Sequence, residues 1–98
     1  MIYLKKVPIE ALFSSRGRVK IIKILAKEGE LNISEIVRRT KLNHSTVYQH
    51  LMFLESIGIV QEKTFGRIKI YRFKDENIKA RALKKFIEVW EEWDKNEY

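Results

Sequence analysis

Ser45, Tyr48 and Gln49 fall at i, i+3 and i+4, the spacing of one helix face, inside the stretch ISEIVRRTKLNHSTVYQHLMFLESIGIV that runs from Ile33 to Val60. Their shared chemistry is hydrogen bonding through hydroxyls, a carboxamide and an aromatic edge. A solvated helix face is ordinarily built from Lys and Glu. This one instead carries groups that match base edges: Gln can pair bidentately with adenine, and Tyr can reach a phosphate or a thymine methyl. For Ser45 and Thr46 a phosphate contact is as well supported as a base contact. His44, in the first turn of the same helix, is expected to touch a phosphate or a base. His50 lies beside the apolar stripe and is expected to be packed and hydrogen-bonded. Six residues separate the two histidines, about 240° around a helix, so one metal ion cannot use both within a chain.

The elements that must position this face can be read on either side of it. Val47, Leu51 and Leu54 recur at i, i+4, i+7 and make the helix's buried stripe. Asn43 is its N-cap, and Leu42 and Val47 bracket that cap as a hydrophobic staple, which fixes the exit angle from the turn Thr40-Lys41-Leu42-Asn43. The preceding helix is expected to start from a Ser34 N-cap. Ile36 and Val37 form its inner side, while Arg38, Arg39 and Lys41 bring positive charge toward its end. Gly58 closes the second helix. Two strands follow, Ile59 to Thr64 and Arg67 to Phe73, around Phe65-Gly66, where glycine accepts the positive φ of a tight hairpin. Val60, Tyr71 or Phe73 should pack at the hairpin's base. Lys63, Arg67 and Lys69 surround its tip with charge suited to phosphates or a narrow minor groove.

Upstream, Met1 to Lys6 is a strand or the lead-in to a helix. Pro8 is expected in the first turn of a short helix over Ile9 to Phe13. Ser14 or Ser15 caps a longer helix from Arg16 to Glu28 that Gly29 stops. Its apolar residues cover most of the circumference, as in a central core helix. Leu31 to Ile33 should be a short strand. Downstream, Asp75 is expected to cap a last helix that reaches about Asn96. Ile78, Ala82, Phe86, Val89, Trp90 and Trp93 share one broad face, with Leu83 at its margin. Lys84 and Glu88 form an i,i+4 pair on the other face. So much aromatic surface either packs on the chain's own first helices or meets a second copy. The second is preferred, because two helices joined by a tight turn, the second with base-reading groups, make a helix-turn-helix, and such DNA readers usually bind two half-sites.

At 98 residues the chain is one domain, with residues 1–74 as the DNA-binding part and 75–98 as a dimerisation helix. The net charge is +7, distributed as +4 over residues 1–32, +5 over 33–74 and −2 over 75–98. The surplus therefore sits where a polyanion would bind. Cysteine is absent, which excludes disulfides and thiolate metal ligands. Glu88, Glu91, Glu92 and Asp94 read as a solvated face and not as a cation site. No nucleophile–base arrangement and no phosphate-cradling glycine loop is visible, so an enzyme is not expected. Neither is a cofactor, a metal or a membrane partner. A cytoplasmic location is the expectation.

The segments SSRGRVKIIKILAKEGEL, SEIVRRTKLNHSTVYQHLMFLESIGIV and GIVQEKTFGRIKIYRF together resemble the winged-helix transcription regulators, most closely the ArsR-like repressors. The resemblance covers about residues 14 to 73. It implies a mainly α fold with a small antiparallel sheet: a winged helix-turn-helix with an added C-terminal helix, working as a homodimer on double-stranded DNA. Within that frame the expected DNA contacts are Ser34, Arg38, Arg39, Lys41, Asn43, His44, Ser45, Thr46, Tyr48, Gln49, Lys63, Arg67 and Lys69. Many ArsR-like proteins sense metals through cysteines, or through carboxylates and histidines on the last helix. This sequence departs from that pattern, having no cysteine and no histidine there. The expected function is sequence-specific regulation, most simply repression by promoter occlusion. Two rivals remain: a low-specificity architectural DNA binder, and a winged-helix protein-interaction module that uses its aromatic C-terminal face.

Overall fold

The computed structural model describes residues 4–96, with side chains as far as residue 92. Four helices, α1 (Arg16–Glu28), α2 (Ile33–Thr40), α3 (His44–Ser56) and α4 (Ile78–Asn96), surround a sheet of β1 (Glu30–Asn32), β2 (Val60–Phe65) and β3 (Ile68–Phe73). The sheet order is β1-β3-β2, antiparallel throughout. β1 pairs with β3 only over Ile70, Tyr71 and Arg72, so the outer half of the β2–β3 hairpin projects as a two-stranded ribbon.

α1 is the core helix. Ser15 caps it by accepting from the Arg18 N–H, and Ile21, Ile22, Leu25 and Ala26 are buried. Against them pack Ile36 of α2, the α3 stripe Val47, Leu51 and Leu54, and the hairpin base Val60, Tyr71 and Phe73. All three expected base residues are therefore in the core. Within β3 the buried residues are Tyr71 and Phe73, whereas Ile68 is exposed, because the tip has no body beneath it.

Several local expectations are corrected. The first segment makes only a 3₁₀ turn, Ile9–Ala11, with Pro8 at its N-cap position. Of the opening segment, Met1 to Tyr3 lie outside the described residues, and Lys5 donates its N–H to the Ser56 carbonyl. α2 is capped by Asn32 and not by Ser34: the Asn32 carboxamide accepts from the Glu35 N–H at 2.9 Å. Ser34 already lies inside the first turn. α4 starts two residues later than an Asp75 cap would place it, because Asn77 Oδ1 accepts from the Lys79 and Ala80 N–H groups at 2.8 and 3.2 Å. Asp75 instead meets Lys84 at 3.2 Å, so Lys84 reaches back to the loop and not toward Glu88. Gly58 sits at φ +85 where α3 hands over to β2. A side chain has no room there, since a Cβ would lie 2.6 Å from Leu4 Cδ1 and 2.7 Å from Asn77 Nδ2.

α4 has two apolar sides. Ala80 and Leu83 are buried and Ile87 packs against the core. Ile78, Phe86, Val89 and Trp90 are 52–72% exposed, and Ala82 is exposed with them. The side chain of Trp93 lies outside the described residues.

Candidate nucleic-acid interface

α3 follows α2 after a tight turn that Lys41 makes possible by adopting a left-handed conformation, φ 60. Thr40 is buried and donates its hydroxyl to the Ile36 carbonyl at 2.7 Å, which satisfies it inside the turn. Asn43 caps α3 through the Thr46 N–H at 2.8 Å. Its oxygen is thereby occupied, leaving its NH₂ as the group free to meet a ligand. With the buried stripe turned inward, His44, Ser45, Tyr48 and Gln49 stand exposed on one surface and Thr46 is half-buried. The opposite face of α3 thus holds the helix while this one remains for contact.

Two polar links fasten the wing to this helix, and a third braces the hairpin beneath them. Glu55 of α3 accepts from the Glu62 N–H at 2.9 Å, the Tyr71 hydroxyl donates to Glu62 at 2.7 Å, and the Lys69 ammonium lies 5.1 Å from the Tyr48 ring centroid. Burial and the nearby Glu62 charge push the Tyr71 hydroxyl well above the usual phenol range, so it remains a donor. Tyr48 and Lys69, expected as separate DNA contacts, are in fact one unit.

The remaining cations divide by what they touch. Glu35 binds Arg38 at 2.7 Å and Arg39 at 3.3 Å, and Arg39 also reaches Glu28 at 3.2 Å. The arginine hydrogen bonds hold the Glu35 carboxyl below its ordinary range. Lys63 meets Glu30 at 3.1 Å. Exposed pairs of this kind are well screened by water and weakly held, so a phosphate can displace the carboxylate. Arg67 at the hairpin tip, Lys41 in the turn and Ser34 in α2 are exposed.

A cluster behind the helix was not foreseen in full. Arg18 of α1 places its guanidinium 3.9 Å from the Phe53 ring centroid and donates from Nε to His50 Nδ1 at 3.3 Å. It also donates to the Ala11 carbonyl. His50 Nε2 lies 3.3 Å from the Ser15 hydroxyl. Because Arg18 can only donate, His50 is neutral with its proton on Nε2. Burial, together with the Arg18 charge, pushes its pKa down. The expectation of a packed, hydrogen-bonded His50 agrees with this geometry. The role of Arg18, thirty-two residues away in sequence, carried no signal in the spacing. Among the described residues no three His, Cys, Asp or Glu side chains gather as metal ligands, and no helix is long and apolar enough to cross a membrane.

A short turn between two helices, a polar exposed second helix and a tethered hairpin define a winged helix-turn-helix DNA-binding domain. Residues 15–62 match the family described as bacterial regulatory protein, arsR family. The chain is 30% identical over 77 residues to an uncharacterized HTH-type transcriptional regulator of Methanocaldococcus jannaschii, covering 79% of this chain and 86% of that protein. It is 31% identical over 74 residues to a cadmium resistance transcriptional regulatory protein CadC homolog of Staphylococcus aureus. That match takes in 76% of this chain but only 61% of the staphylococcal protein's length. The fold also matches the homodimeric winged helix-turn-helix DNA-binding domain of a possible ArsR-family regulator from Mycobacterium bovis. That TM-score is 0.71, with 23% identity and 92% and 81% of the two chains covered. The chain belongs to the ArsR family: it is a DNA-binding transcriptional regulator and not an enzyme.

Proposed function

We propose that this regulator binds specific double-stranded DNA sites as a homodimer and represses transcription by occluding a promoter. The observation that carries the reading is the exposed surface of α3. It offers Ser45, Tyr48 and Gln49 to a groove while cations of α2 and the wing flank it. α3 enters the major groove, where Gln49 reads a base. Ser34, Arg38, Arg39, Lys41, Asn43, His44, Ser45, Thr46, Lys63, Arg67 and the Tyr48–Lys69 pair fix its register, largely on phosphates.

Residues 1–74 bind DNA and residues 75–98 join two copies through Ile78, Ala82, Phe86, Val89 and Trp90, together with Trp93. Grooves of about 550 and 530 Å³ run along α4, and Phe86 lines both. A second copy would cover this apolar surface, as the homodimeric mycobacterial relative's assembly makes reasonable. The cadmium resistance in the staphylococcal relative's name is not carried over to this chain, whose sequence offers no cysteine thiolate for a soft metal. A cytoplasmic location fits promoter binding.

Reading and gripping are separable. Arg67→Ala should weaken matched and unmatched duplexes alike and lower the salt slope by about one. Gln49→Ala should relax preference at one base pair per half-site, costing about 1–3 kcal/mol on the matched site, with the salt slope unchanged. Equal loss on both duplexes for Gln49→Ala would overturn the assignment of α3 and favour an architectural binder.

A further inference from the structure

The wing tip carries two large apolar side chains that the fold does not use. Phe65 is 60% exposed and Ile68 55% exposed. They are cross-strand partners on the last rung of the hairpin, one on each side of Gly66-Arg67. Cross-strand partners project to the same face of a ribbon, so the two side chains form one apolar edge. A tight turn there needs only Gly66, at φ 61; it does not need an aromatic and a β-branched neighbour.

We infer that this edge is a wedge which enters the minor groove beside the α3 site and partly unstacks one base step, kinking the duplex. The inference rests on the DNA-binding reading above and adds a deformation to it. Three features select duplex DNA as the occupant. Arg67 lies between the two apolar residues in sequence, Lys69 stands on the next rung, and Lys63, paired with Glu30, on the one after, so cations flank the edge at the turn and along the ribbon. A phosphate-lined groove is the surface complementary to those cations. Second, the turn is sterically open, since nothing lies within 4 Å of the position a Gly66 Cβ would take. The minor groove is only ~6 Å wide, and narrow stretches attract arginine.

Third, reach matches depth. β1 support ends at Ile70, leaving the rungs Thr64–Lys69 and Phe65–Ile68 and the turn beyond them free. At ~3.4 Å per residue that is about 10 Å of unsupported ribbon, against a groove ~7.5 Å deep. The Lys69–Tyr48 contact ties the same ribbon to α3, so major-groove reading and wedge insertion are held at one spacing. Apolar side chains inserted at a step bend DNA by ~20–90° toward the major groove. Pyrimidine–purine steps resist this least, which gives the site a preference at a base pair no side chain reads directly.

The test uses the full chain and duplexes recovered by selection from a random pool, end-labelled with a fluorophore pair and carrying 2-aminopurine at the step under the wing. Wild-type protein should shorten the end-to-end distance and raise 2-aminopurine fluorescence. The double variant Phe65→Ser, Ile68→Ser should abolish both signals and lower affinity on the order of tenfold, with an unchanged salt slope because no phosphate contact is lost. Phe65→Leu, still an apolar wedge, should keep the bend. Both sites are exposed, and an unchanged circular dichroism spectrum confirms folding. A straight duplex in the wild-type complex, or a bend that survives the double variant, overturns the wedge while leaving the α3 reading intact. Failure of the wild type to select any duplex removes both.

Discussion

Gly58→Ala concentrates the strain of the fold at one carbon atom. Gly58 is buried at φ +85 between α3 and β2, so the substitution adds a methyl group to a backbone that L-residues rarely adopt, at about 1 kcal/mol. The new Cβ would lie 2.6 Å from Leu4 Cδ1 and 2.7 Å from Asn77 Nδ2. Leu4 is the end of a flexible, half-exposed side chain and can move aside. Asn77 cannot move without releasing the Lys79 and Ala80 N–H groups that it caps, worth about 1 kcal/mol more. The sum, about 2 kcal/mol, corresponds to a fall in Tm of roughly 8–16 °C for a domain of this size. Urea unfolding at one fixed protomer concentration measures it, since dimerisation would otherwise shift the midpoint. Gly66→Ala is the internal control: its φ is +61 but its surroundings are open, so only the backbone cost remains. Equal losses for the two variants would refute the claim that Gly58 is fixed by Asn77.

Other perturbations reach the remaining surfaces. Phe86→Lys with Trp90→Lys replaces two exposed rings, 5.9 Å apart, so the protomer should stay folded while dimers dissociate at least a hundredfold more readily; sedimentation at tens of micromolar reads this, and wild-type monomers there would count against the interface. Chelator or added zinc should leave operator affinity unchanged, and a tenfold shift would reveal a metal site in the protein. His50 has its pKa depressed in the fold, so the unfolded chain binds the proton first. Its stabilising contribution is complete above about pH 6.5 and is lost as pH falls through the lower folded value. His50→Gln should therefore flatten the pH dependence of the urea midpoint between pH 7.5 and 5, and parallel curves would refute the depressed folded-state pKa of His50.

Much of this architecture was legible because its elements are local and periodic. The α3 stripe, the Ser15 and Asn43 caps, the Gly29 stop and the hairpin around Gly66 each follow from residue types within a few positions. The misplaced caps show the limit of such reasoning. Asn32 and Ser34 are both competent N-caps two residues apart, and the choice fell to Asn32 because β1 pairing with β3 ends there. Asp75 and Asn77 differ in the same way. For α4, two apolar sides made periodicity indifferent to which one faced inward, and packing chose Ala80, Leu83 and Ile87. Contacts between distant elements left no local trace. Arg18 with His50 and Phe53, Glu55 with Glu62, and Lys69 with Tyr48 were invisible until the fold brought them together.

The direct test of the central claim is selection of binding sites from random duplexes by the full chain at a stated salt concentration. Sequence-specific reading by a pair of α3 helices predicts recovery of one motif with two-fold symmetry, its half-sites centred about 10 base pairs apart or a multiple of that. A recovered pool no different in sequence from the input, with binding that merely follows salt, would contradict it.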